Sequence, residues 1–170
     1  TIPAGAQAGD LLVVQAVVRS TAAPTVPAAT PAWTVLTSQS DVANGLEQYV
    51  YTRVMSASDV AGTTSYTWTV STGVDAAGGM LALRNVDGSP TNPSQHTATA
   101  TGTTSPATAT ITTDSIIGSN NAYVVAFYGG KGNFTFSETN ASLTGLWGTA
   151  ENQMPNGSGQ LTGNNVGSGS

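Results

Sequence analysis

The sequence predicts an all-β chain: an antiparallel β-sandwich of jelly-roll type with about eight to ten strands separated by turn signals. Three observations lead to that class. Alternation of apolar and polar residues with a period of two recurs along the chain, while helix-period patterns are nearly absent. Gly and Pro punctuate these runs at short intervals. Finally, 39% of the 170 residues are apolar, enough for a core, but only 8% are charged, against about 25% in soluble domains. The polar surface is therefore made of Thr, Ser, Asn and Gln, which excludes a coiled coil or a charge-laced helical bundle.

The elements follow in order. Pro3, Gly5 and Gly9 make residues 1–9 rich in turns. Residues 11–18 form a short β-branched apolar run, a buried strand whose even positions are wholly apolar and whose odd positions are interrupted by Gln15. Residues 20–31 carry three prolines among small residues and read as a loop. Strands are expected at 33–39 and 46–55, joined by Asn44-Gly45, which supplies the positive φ angles of a type I′ hairpin turn. Residues 56–62 could complete one helical turn before Gly62 stops it. In 65–70, Tyr66, Trp68 and Val70 share one face, with Thr67 and Thr69 on the other. Gly78-Gly79 precedes a strand over 80–86, closed by the turn at 87–90.

Farther along, Thr97, Thr99 and Thr101, then Thr108, Thr110 and Thr112, form two threonine rows opposite Ala and Ile. Regular Thr rows can order water, but one hairpin is too small for such a surface, and a solvated sheet face explains them. Residues 122–128 are apolar on both faces, as in a central strand. Phe134 and Phe136 point inward on the next one. Residues 1–150 are thus read as the sandwich. Residues 151–170 are read as a Gly/Asn/Ser-rich loop or tail leading to a closing strand that the chain lacks. With its start at Thr1, the chain reads as a processed part of something longer.

Function classes narrow by elimination. Four Lys and Arg against nine Asp and Glu give a formal net charge of -5, which opposes contact with nucleic-acid backbones. No apolar run reaches the roughly 18 residues of a membrane span. With no cysteine there is no disulfide framework, thiolate metal site or cysteine nucleophile. The single histidine, His96, lies in a Ser/Thr/Ala stretch without a G-x-S-x-G elbow or an H-E-x-x-H motif, and reads as a surface residue. Asp10, Asp41, Asp59, Asp87 and Asp114 fall at turns, where an aspartate bonds nearby backbone amides. Asp75, Glu47, Glu138 and Glu151 are scattered singly. No calcium-loop pattern or phosphate cradle is present, and Gly129 to Gly132 read as turn glycines. No catalytic residue, metal ligand or cofactor is expected. The three sequons at Asn133, Asn140 and Asn156 match chance in a chain of this composition.

Aromatic residues remain, because sugar rings stack on exposed flat side chains. Trp33, Tyr49, Tyr51, Tyr128 and Trp147 are the candidates, with Tyr66 and Trp68 assigned to the core. Tyr128 and Trp147 lead because they border Gly-rich loops, where binding residues often lie; Trp33 is the third glycan-binding candidate.

Several motifs together carry a resemblance. The opening Pro3-Ala4-Gly5-x-x-x-Gly9-Asp10-Leu11-Leu12-Val13-Val14 resembles that of a family of β-sandwich domains in bacterial surface proteins and phage minor tail proteins. Pro31-Ala32-Trp33-Thr34, Tyr49-Val50-Tyr51-Thr52-Arg53 and Tyr66-Thr67-Trp68-Thr69 follow in that family's order. Residues 78–87, ending in Val86-Asp87, and the strand from Val124 to Gly130 are similar to its later elements. The resemblance spans most of residues 3–147. Departures are the missing glycine beside Trp33 and the missing closing strand. The resemblance implies virion or extracellular display, adhesion and no catalytic residues. The expected function is therefore a non-enzymatic virion structural or adhesive domain (a phage minor tail, fibre or decoration component). Its expected partners are neighbouring virion or surface subunits, including further copies of itself. The alternative is a carbohydrate-binding module of a secreted or cell-surface protein, with a cell-surface glycan as partner. A hydrolase whose carboxylates converge only in three dimensions comes third.

Overall fold

The computed structural model describes residues 1–42, 45–63 and 65–86, together with the backbone of strands at 123–127, 146–147, 152–154, 158–160 and 164–168. The chain divides into two compact units, residues 1–109 and 110–170.

In the first unit, strands β1 (Leu11–Val18), β2 (Thr34–Asp41), β3 (Leu46–Val54) and β4 (Ala76–Leu83) form one antiparallel sheet in the order β2-β3-β1-β4. A short helix, α1 (Ala57–Gly62), follows β3. This is the all-β class, reached for the reason its sequence suggests. All eight residues of β1 are buried, so its apolar run fills both faces of a central strand. On the even face, Leu12, Val14 and Ala16 pack with Trp33, Tyr51 and Met55. On the odd face, Gln15 is fully buried between strands and its Nε2 donates to Gln48 Oε1 at 2.8 Å. That bond makes an amide tolerable inside an apolar layer.

Three local expectations change. The β2–β3 hairpin exists, but Asp41 pairs with Leu46, so the loop has four residues rather than two. Gly45 supplies the positive φ of +60° and closes the turn by donating its N–H to Val42 O. Residues 65–70 alternate as expected, with Tyr66, Trp68 and Val70 the more buried. Among the described residues they form no ladder, only a bridge between Thr25 and Thr69. Gly78 and Gly79 lie inside β4 rather than before it. A Cβ on Gly78 would stand 2.2 Å from the Gln15 carbonyl oxygen, so the close approach of β1 needs glycine there. At β2, a bulge between Val35 and Thr37 shifts the register.

The second unit contains β5 (Tyr123–Phe127), β6 (Leu146–Trp147), β7 (Asn152–Met154), β8 (Ser158–Gln160) and β9 (Asn164–Ser168). Strands β5, β9 and β6 form an antiparallel sheet with β9 in the middle, and β7 pairs with β8. The stretch 151–170, expected as loop or tail, thus carries strands. Its Gly/Asn/Ser composition lacks the apolar alternation that would mark them; β9 has the apolar β5 as a partner, while β7 and β8 pair with one another. Strand β5, expected as central, has β9 as its neighbour on one side among the described residues. His96, the threonine rows, Phe134, Phe136 and the sequons lie outside the described residues.

Candidate functional site

The densest gathering of chemistry-bearing side chains in the first unit lies on the even face of the sheet. In the β1–β3 register Arg53 is opposite Leu12, which turns its side chain into the core face. The segment from Tyr66 to Trp68 crosses that face, held by reciprocal hydrogen bonds between Thr25 and Thr69 at 2.8 and 3.1 Å. Trp33, just ahead of β2, joins the same cluster. Its ring meets Tyr66 edge-on at 5.2 Å and Trp68 at 4.8 Å between centroids. Tyr51 continues the cluster to Trp68 at 6.0 Å and to Tyr49 at 6.1 Å. T-shaped contacts of this kind set the quadrupole edge of one ring on the face of the next.

The Arg53 side chain is fully buried within this cluster. Its guanidinium carbon lies 5.5 Å from the Trp33 centroid and 5.2 Å from that of Tyr66, within cation–π range. Nη1 and Nη2 donate to the two carboxylate oxygens of Asp59 at 3.2 and 2.7 Å, a fork-to-fork pair. Nη2 also donates to Thr30 O at 3.0 Å, and Nη1 to the Tyr66 hydroxyl. Asp59 further accepts from the Ser56 amide and hydroxyl, both at 2.7 Å, and from the Tyr66 hydroxyl. The Ser56 contacts are local, because Ser56-x-x-Asp59 opens α1 with a capping-box geometry.

Burial works to raise the Asp59 pKa, but the hydrogen bonds from Tyr66, Ser56 and Arg53 outweigh it and hold the carboxyl well below its ordinary range. Tyr66 moves up, through burial and its bond to Asp59, against the opposing charge of Arg53. A carboxylate held ionised by so many donors is a poor proton acceptor. This arrangement locks loops to a sheet; it does not poise an acid or base.

A second pair closes the end of the sheet. Arg84 Nε and Nη2 donate to Asp10 at 3.0 and 2.9 Å, and Nη2 also donates to Gly5 O at 2.8 Å. The Gln7 amide adds a bond to Asp10 at 2.8 Å. The bond from Arg84, against the pull of burial and with help from Gln7, lowers the Asp10 pKa. Arg19 and Asp75 make a third pair at 3.3 Å, well exposed. Each of the chain's three arginines therefore holds an aspartate. Near the hairpin, burial and a bond to Glu47 push the Tyr49 hydroxyl up to about 12.

The glycan candidates separate. Trp33 is only 9% exposed, with its indole N–H buried without an acceptor. Its ring is a core anchor packed against Tyr66, Trp68 and Arg53, which leaves no exposed face for a sugar. Tyr51, at 2% exposure, is likewise interior. Tyr49 is half-buried. Trp147 lies on β6 with its backbone paired to Asn164, and its side chain falls outside the described residues, as does Tyr128. Among the described residues, no three His, Cys, Asp or Glu side chains gather as metal ligands would. The Arg53–Asp59–Tyr66 network was not anticipated; its one local signal is the Ser56-x-x-Asp59 cap. Comparisons with protein-family models, curated proteins and solved structures found no match.

Proposed function

We propose that this chain is a non-enzymatic β-sandwich displayed on a virion, a structural or adhesive component such as a minor tail, fibre or decoration protein. One observation carries the reading. Of the residues through which the chain resembles surface and tail domains, Asp10, Trp33, Tyr51, Arg53, Tyr66 and Trp68 all serve the framework of the first unit. Arg84, in the later similar stretch, does so too. A resemblance made of packing and ion-pairing residues supports a shared scaffold rather than a shared catalytic site. The burial of β1 on both faces supports a second layer over its sheet, as a sandwich requires.

The test is a titration of intrinsic Trp fluorescence with polysaccharide from the envelope of a candidate host. Trp33 and Trp68 sit in the aromatic cluster, and Trp147→Ala separates the signal of the third tryptophan from theirs. The structural reading expects a flat titration of folded protein and recovery of the chain in assembled particles. A saturable shift abolished by Trp147→Ala or Tyr128→Ala would overturn it in favour of a carbohydrate-binding module.

A further inference from the structure

We infer that the aromatic cluster of the first unit is a relay for an oxidising equivalent, which passes from Trp33 and Trp68 through Tyr51 and ends as a radical on Tyr49. This goes beyond the structural reading and does not depend on it.

Spacing makes the relay continuous. Ring centroids are 4.8 Å apart from Trp33 to Trp68, 6.0 Å from Trp68 to Tyr51 and 6.1 Å from Tyr51 to Tyr49. Electron transfer falls off exponentially with separation, so rings in contact exchange an electron far faster than rings with another side chain between them. The line also runs outward: Trp33 at its inner end is buried, whereas Tyr49 is half-buried.

Its direction is set by where protons can go. A tryptophan that loses an electron stays a cation, its more strongly oxidising form, when its N–H has no acceptor. Among the described residues no acceptor meets the buried indole N–H of Trp33 or of Trp68. Each therefore draws an electron from a neighbour once oxidised. Tyrosine supplies one readily only if its phenolic proton leaves at the same time, to an acceptor already bonded to it. Three tyrosines belong to the cluster. Tyr51 is interior, burial alone pushes its pKa up, and among the described residues no acceptor meets its hydroxyl. Tyr66 donates to Asp59, but that carboxylate also accepts from Arg53 and Ser56 and is held well below its ordinary range, so it takes a proton poorly. Tyr49 donates to Glu47, whose other carboxylate oxygen accepts only from the Ser40 hydroxyl at 3.3 Å among the described residues. Each arginine is engaged with an aspartate elsewhere. Glu47 is thus the carboxylate in the cluster with room for the proton, and Tyr49 is the end of the line.

Electrons and protons balance. A one-electron oxidant such as the azide radical takes an electron from Trp33 or Trp68 and becomes azide anion. Tyr49 replaces that electron through Tyr51, its O–H bond breaks, and the proton passes to a Glu47 carboxylate oxygen. The tryptophan returns to its neutral state, and a neutral phenoxyl radical remains on Tyr49.

Pulse radiolysis with azide radical tests this in the full chain carrying Trp147→Phe, which leaves Trp33 and Trp68 as its only tryptophans. The expected result is first-order conversion of tryptophanyl into tyrosyl absorbance, at a rate independent of protein concentration. Adding Tyr49→Phe, which keeps the ring, should abolish most of the conversion, and adding Glu47→Gln should slow it several-fold. Near-UV circular dichroism matching the parent chain confirms that the cluster is intact in each variant. A parent chain without conversion overturns the inference, as does conversion that persists at the parent rate in Tyr49→Phe. A Glu47→Gln rate equal to the parent's overturns the assignment of Glu47 as proton acceptor. None of these outcomes bears on the virion reading, which keeps its own fluorescence and particle tests.

Discussion

Arg53 and Asp59 show how one ion pair can organise a loop-covered sheet. Both side chains are almost wholly removed from water, so truncating one strands the other. Arg53→Met should cost about 3–5 kcal/mol in urea unfolding at pH 7, since a buried charge then lacks its partner. The pH dependence has a definite sign. The folded Asp59 pKa lies below its unfolded value of about 3.9, so its contribution is complete above that value and is lost as pH falls towards the folded one. Stability should therefore drop steeply on acidification below about pH 4, with a shallower drop in Asp59→Asn. Equal slopes would dismiss Asp59 as the source. Tyr49 acts at the other end of the scale. Its pKa of about 12 exceeds the unfolded value near 10, so its stabilising share is present below pH 10 and disappears as pH rises towards 12. Alkaline unfolding curves of Tyr49→Phe should be flatter across that interval. At this scale the turn aspartates were legible: Asp10 and Asp59 do accept nearby backbone amides, from Gln7 and Ser56. Their arginine partners were not, because Arg84 is 74 residues from Asp10 and only folding brings them together.

Among the elements, β1 was legible to the residue, because an eight-residue apolar run bounded by turn signals has few alternatives. Strand β4 was misplaced, because glycine pairs usually mark turns and their role here is set by a neighbour. The backbone of Gln15 leaves no room for a Cβ at Gly78, whereas Gly62 at the end of α1 has open space around it. The two positions should respond oppositely to the same change. Gly78→Ala should destabilise by about 1–3 kcal/mol, since a well-packed ladder must shift. Gly62→Ala should be neutral or stabilise by up to about 1 kcal/mol through helix propensity. Denaturant midpoints of the two variants decide it; similar losses in both would mean that the β1–β4 approach is not tight.

For the molecule as a whole, low charge is the dominant property. A net charge of -5 on 170 residues and a pI of about 4.3 leave little electrostatic repulsion between copies on mild acidification. Turbidity should pass through a maximum near pH 4.3. A solubility minimum far from that pH would mean that exposed apolar surface, rather than charge, governs association.

By itself the sequence determined the all-β class, the buried strand over residues 11–18, the hairpin and the inward face of Tyr66 and Trp68. Each of these is written in short-range periodicity and turn chemistry. Only the tertiary structure decided which arginine meets which aspartate, that Trp33 is an interior anchor, and that Gly78 is needed inside a strand. It also placed β2 at the end of its sheet. These outcomes depend on register and strand order, which join residues distant in the chain and which local pattern does not encode.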